Sequence, residues 1–238
     1  MSLTSNIARA KTDYDEVYEA GKDTIWNMVL NNGNRTSFRY AFAYWANLID
    51  SFYPPYDIKP KGSAINMFQS INDVMDLNAR FEECGKVLDT KGCTDLTQAF
   101  YLSRFTVLPI IDLSGLTSAP NATFGDMYNL VEIKGVVPPV NVTWNAQAFR
   151  NDTELRDLTI VGTNAVSYLN LSWSKKLNKA SITSVINSLS TTTPSGLSIT
   201  LSETAVKTAF NTTDPSTCEE WLALRNTRSN WTISLQDS

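Results

Sequence analysis

Three stretches of this chain are variants of one phrase: AFYLSRFTVLPI at residues 99–110, TFGDMYNLVEI at 123–133 and AFRNDTELRDLTI at 148–160. Each carries a phenylalanine in its second place, at positions 100, 124 and 149, so the spacings are 24 and 25. A further apolar signature follows each one: Phe105-x-x-Leu108-x-Ile110, Leu130-x-x-Ile133 and Leu155-x-x-Leu158-x-Ile160, the first unit being one residue tighter. Such a period belongs to repeat proteins.

Magnitudes require the units to stack. One unit buries about three large apolar side chains, at roughly 1.5 to 3 kcal/mol each. Ordering its two dozen or so residues of backbone costs about 1 to 2 kcal/mol apiece. A lone unit therefore stays unfolded. Stacked units share each apolar layer and pair each strand with the next, and both ends then need covers. A period in the twenties with an L-x-x-L-x-I core lies within the range of leucine-rich repeats, where each unit supplies a short strand and a turn to the next.

Working outward, the first residues lack a basic start followed by an apolar run, so no secretory leader is read there. Residues 7–31 read as a helix, with Tyr14, Val17, Tyr18, Ile25, Met28 and Val29 at mostly helical spacing and Asn31-Asn32-Gly33 as its stop. Gly21-Lys22-Asp23-Thr24 imitates a phosphate loop but lacks the earlier glycine, Glu16 standing there, and has Asp23 in the Ser/Thr place. Phe38, Tyr40, Phe42 and Tyr44 alternate with Arg39, Ala41 and Ala43 in strand fashion. This aromatic segment is expected to cover the open edge of the first layer, with a carbohydrate-stacking surface as the other option.

The repeat register begins imperfectly at Met67-Phe68. Beyond the third unit, Ile182, Val185, Ile186 and Leu189 predict a helix from about 179 to 190 with Asn178 as its N-cap. Strands are read at 197–201 and 231–235, helical turns at 205–210, and a helix around Cys218, Trp221, Leu222 and Leu224. The expected organisation is an N-terminal helix and aromatic cap over 1–60, a repeat solenoid over 61–170 and an α/β C-terminal cap over 171–238.

Composition narrows the chemistry. A net charge of −4 and a pI near 4.9, with no cluster of Lys and Arg, argue against nucleic acid and anionic membranes as partners. No stretch approaches the roughly 20 apolar residues of a membrane span. Histidine is absent, which removes the commonest general base and metal ligand. Cys84, Cys93 and Cys218 lack zinc spacing and read as small apolar fillers, a Cys84–Cys93 bridge remaining open. Asp73, Asp76, Glu82 and Glu83 match no calcium loop and read as a solvated face. No metal, cofactor or catalytic residue is assigned.

The block Trp26, Asn31-Asn32-Gly33-Asn34-Arg35, Tyr40-Ala41-Phe42, Trp45, Phe52, Pro55-Tyr56-Asp57-Ile58 and Met67-Phe68, followed by the Ala-Phe units, resembles surface-antigen leucine-rich repeat proteins of the BspA-like group. So does the tail Leu177-Asn178-Lys179-Ala180-Ser181-Ile182, then Leu197 to Ser202, then Asn230-Trp231-Thr232-Ile233. The likeness spans about residues 13–235. Proteins similar to these occur in gut bacteria and the bacteriophages that infect them. The resemblance implies a right-handed solenoid and non-enzymatic binding. The chain departs from the general pattern at Leu113, Pro138 and Thr163, which stand where an Asn ladder would fall.

The function expected is that of a virion-associated protein of a tail fibre or similar appendage, assembled in the host cytoplasm and adhering to a bacterial surface protein or glycan. Other virion proteins or further copies of the chain are the remaining partners. A secreted or surface-attached bacterial adhesin is the alternative. Seven N-x-S/T tripeptides, at Asn34, Asn121, Asn141, Asn151, Asn170, Asn211 and Asn230, reflect an Asn- and Thr-rich composition rather than export. A hydrolase working through paired carboxylates has no pair that spacing defends. If the sheet face makes the contact, Glu132, Lys134, Asp157 and Thr159 are the ligand-binding candidates, because they alternate with buried strand neighbours.

Overall fold

The computed structural model describes residues 38–44, 52–54, 56–193 and 196–238. The helix read over 7–31, the Gly21–Thr24 segment, and Trp26, Trp45 and Pro55 lie outside the described residues.

Among the described residues every strand pairing is parallel. A four-stranded sheet has the order β2 (Met75–Asp76), β4 (Phe105–Asp112), β5 (Glu132–Val137), β6 (Asp157–Ile160). Beside it β1 (Gly62–Ser63) pairs with β3 (Cys93–Asp95), and a short helix α1 (Leu77–Glu83) follows β2. The repeat is visible in the register: Leu108 faces Ile133, and Ile133 faces Leu158. All three are buried.

The phenylalanines form a column through the core. Phe42, Phe68, Phe100, Phe124 and Phe149 stack in sequence, with centroid separations of 4.8, 5.6, 6.0 and 4.9 Å. Their planes are within 26° of parallel at every step. Such pairs contribute about 0.5 to 1.5 kcal/mol beyond burial of area. Phe52 and Phe105 pack edge-on against it, each touching Phe68 at 5.8 Å.

A second backbone ladder runs beside this column, away from the strands. The amides of Phe42, Phe68, Phe100 and Phe124 donate to the carbonyls of Met67, Ala99, Thr123 and Ala148, the residues just before the next phenylalanine. The tight turns that permit this place Tyr40, Asn66, Gln98 and Ala122, each two residues before a phenylalanine, at positive φ. Tyr44, Ser70, Leu102, Asp126 and Asn151, each two residues after, are also left-handed.

This corrects the strand reading of 38–44. Phe38 and Phe42 are buried while Tyr40 and Tyr44 are 53% and 64% exposed, and the segment is a pair of turns. The turns bury Phe38, Ala41 and Phe42 and leave both tyrosines outside, so the aromatic alternation is not a strand's. Ile110 needs a second correction, because it is 52% exposed and Ile111 takes the core position. β4 and β5 carry one more residue between inward positions than β6 does, so Ile160 pairs with Val136, which pairs with Ile111.

The last layer is finished by α2 (Lys179–Ser188), which lies against the outer edge of β6. Asn178 caps it, accepting from the Ser181 amide at 2.9 Å. Three further parallel strands, β7 (Leu169–Leu171), β8 (Leu197–Leu201) and β9 (Trp231–Leu235), align Leu169, Ile199 and Ile233. Between β8 and β9 come α3 (Glu203–Ala209) and α4 (Glu219–Asn226). Arg228 donates to the carbonyls of Asn187 and Leu189, placing a cation at the C-terminus of α2, where the helix dipole favours one. One contiguous apolar cluster runs from Phe38 to Ile233.

Candidate binding surface

The four candidates on the sheet share its outer face. Glu132 and Asp157 are in register on neighbouring strands. Lys134 lies two residues along from Glu132 and forms an ion pair with it at 2.9 Å. That bond, helped by the field of Asp76 and Glu82, holds the Lys134 ammonium above its usual pKa. Asp157 is engaged by the Asn178 amide and faces Arg156 at 3.9 Å. Thr159 is exposed. The face therefore holds an acidic pair with one lysine, much of its hydrogen-bonding capacity already engaged.

Further up this face, Ile110 and Val161 close over Gly135. A Cβ at position 135 would meet Val161 Cγ2 at 2.8 Å and Ile110 Cγ1 at 3.3 Å. The acidic residues 73, 76, 82 and 83 are partly accounted for: Asp76 caps α1, Glu82 accepts from Asn78 and Glu83 faces Arg80 at 3.6 Å.

A second cluster lies on the turns that follow the phenylalanines. The residues directly after Phe100, Phe124 and Phe149 are Tyr101, Gly125 and Arg150. Arg150 reaches past the middle layer to Tyr101, two layers away. Its guanidinium donates to the phenol oxygen at 3.1 Å and lies 5.7 Å from the ring centroid.

The same guanidinium pairs with Asp126, whose carboxylate also accepts from Asn151 and from the Tyr128 hydroxyl at 3.3 Å. Burial pushes the Asp126 pKa upward, but the hydrogen bonds from Arg150, Asn151 and Tyr101 outweigh it and leave the group below the usual carboxylate range. Asp152 next to it is fully buried. Its Oδ1 accepts from the Met127 amide, its Oδ2 has no partner, and burial holds its pKa well above the ordinary value.

Opposed pKa shifts in neighbouring carboxyls are a mark of acid and base pairs in enzymes. Asp152 is sealed from solvent, whereas its neighbour Asp126 is engaged by Arg150, Asn151 and Tyr128. Among the described residues no group of His, Cys, Asp and Glu is placed to hold a metal ion, and no helix is long and apolar enough to cross a membrane. The three cysteines are free thiols; burial pushes the Cys93 pKa up to about 12. Comparison with protein-family models, with curated proteins and with solved structures gives no match.

The turn cluster is absent from the residues singled out in the sequence. Its one local signal was present: the positions after each phenylalanine read Tyr, Gly, Arg, large residues flanking a glycine in a repeat column. Ala41-Phe42 likewise repeats the Ala-Phe pair and marks Phe42 as a column member.

Proposed function

We propose that this chain is a right-handed leucine-rich repeat solenoid of the BspA-like kind, working as a non-enzymatic adhesion protein in a bacteriophage tail fibre or similar appendage. The observation that supports this reading is the unbroken phenylalanine column, from Phe42 to Phe149, with hydrogen-bonded ladders on two sides. A scaffold of this kind spends its core on rigidity and leaves its flanks for contact. The phage setting comes from the resemblance in the sequence.

The test has two arms. Antibody against the recombinant chain is applied to purified phage particles from gut bacterial hosts and to fractionated cells, and the labelled protein is incubated with whole bacteria. Labelling of a particle appendage together with saturable cell binding is the expected result. Recovery only from the bacterial exterior would move the reading to an exported adhesin. Absence from particles and exterior alike, with no cell binding, would overturn it.

A further inference from the structure

Four large apolar side chains combine two costs that folding alone would avoid. Tyr40, Tyr44, Leu102 and Tyr168 are at least 40% exposed and also sit at positive φ, where a bulky L-residue is a rare outlier. Neither core packing nor backbone preference selects them, since Gly or Asn would fit such turns at lower cost. Strain retained at exposed positions is a recognised mark of functional surfaces.

Of the four, Leu102 adjoins the turn cluster: its amide donates to Gly125 and its neighbour Tyr101 touches Arg150. Tyr128 completes the patch, 55% exposed with its hydroxyl tied down on Asp126. A phenol anchored in this way has its ring held at the tip while more than half of the residue stays exposed. Around these rings stand amide and guanidinium groups: Asn151 on Asp126, Gln147 on Arg150, and Asn129 with Arg104. Formal charge nearly cancels, because Asp126 neutralises Arg150 and leaves Arg104 as the surplus.

From this arrangement we infer that the turn face formed by Tyr101, Leu102, Asp126, Tyr128, Arg150 and Asn151 is a binding site for an uncharged hexopyranose glycan. The axial C–H faces of a pyranose stack on fixed aromatic rings, and its hydroxyls need donors and acceptors at the rim rather than net charge. A protein partner would call for a broader apolar centre than Leu102 and Tyr128 offer. The layers repeat at a pitch set by the phenylalanine stack, 4.8 to 6.0 Å, comparable with the length of one pyranose unit in a linear polymer. The inference rests on the adhesion reading and moves the contact from the sheet face to the turns.

Its test uses the full chain and a panel of cellohexaose, laminarihexaose, maltohexaose and mannohexaose, read by ligand-observed NMR and calorimetry. Saturable binding of at least one, weakened tenfold or more by Tyr128→Ala and unchanged by Lys134→Gln on the sheet face, is expected. Leu102→Asn relieves the left-handed strain, so it should melt at a higher temperature yet bind more weakly, a pairing that a merely structural leucine would not show. No saturable binding across the panel, binding that survives Tyr128→Ala in a folded protein, or loss that follows Lys134→Gln overturns the inference. Adhesion to whole bacteria that persists after periodate oxidation of their glycans but disappears after protease would sink the glycan and leave the adhesion reading standing.

Discussion

The hydroxyl of Ser181, on helix α2, does for strand β6 what a neighbouring strand would do. It accepts from the amide of Leu158 at 2.8 Å and donates to the carbonyl of Arg156 at 3.0 Å. One residue of a parallel partner strand would occupy both groups in the same way. Ser184 repeats half of the device, accepting from the Ile160 amide at 2.9 Å. The sheet edge is thus closed by side chains, and it offers fewer free groups to another chain.

Ser181→Ala leaves the buried Leu158 amide without its partner, while the Arg156 carbonyl keeps the Asn178 amide at 3.0 Å. A loss of about 1 to 3 kcal/mol is expected, the cost of an orphaned buried hydrogen-bonding group. Hydrogen exchange at the Leu158 amide should quicken ahead of that at Ile133, in the middle of the sheet. Equal protection at both positions in the variant would show that the hydroxyl is not the edge's partner.

The phenylalanine column makes its central members the costliest to remove. Phe124 stacks on both sides, against Phe100 and Phe149. Phe124→Ala should destabilise by about 3 to 5 kcal/mol, within the usual range for a buried aromatic. Urea denaturation measures it. A loss below about 1 kcal/mol would mean the column contributes little packing.

Two glycines should respond in opposite ways to alanine. A Cβ at Gly115 would clash with the backbone carbonyl of Lys91 and lie 2.8 Å from that of Cys93, atoms held by the chain itself. Gly115→Ala is expected to cost about 1 to 3 kcal/mol or more through overpacking. At Gly135 the obstacles are the γ carbons of Ile110 and Val161, side-chain atoms of exposed residues that can turn about χ1. Gly135→Ala should then fall within about 1 kcal/mol of the parent, because alanine recovers some of the entropy that glycine loses in a strand. Thermal melts that rank the two variants the other way would contradict the placement of these side chains.

Asp152 predicts a pH dependence with a definite sign. Its folded pKa is raised by burial, so its contribution is fully present below the unfolded carboxyl value of about 4 and is lost as pH rises toward the folded value. Asp126 has the opposite sign: its lowered pKa contributes above the unfolded value and is lost as pH falls through the folded one. Asp152→Asn keeps an acceptor for the Met127 amide and carries no titrating proton. Urea midpoints at pH 4.5, 6 and 7.5 should decline in the parent more steeply than in this variant. Parallel slopes would show that Asp152 does not stay protonated.

Much of the local structure was legible along the chain. Asn178 as the N-cap of α2, strands β8 and β9 to the residue, and the spacing of Phe100, Phe124 and Phe149 all follow from short-range pattern, because caps, alternation and period act over a few neighbours or one unit. Pattern misled where a turn imitated a strand at 38–44 and where β4 carried an extra residue before Ile111.

The amino-acid order by itself determined that repeated units carry a phenylalanine and an inward apolar strand position, and that histidine chemistry is absent. Only the tertiary structure decided that Arg150 meets Tyr101, that Ser181 closes the edge of β6, and that Asp152 is sealed in beside Asp126. The reason is physical. These contacts join residues about one or two units apart, and they exist only once stacking has set which layer lies over which.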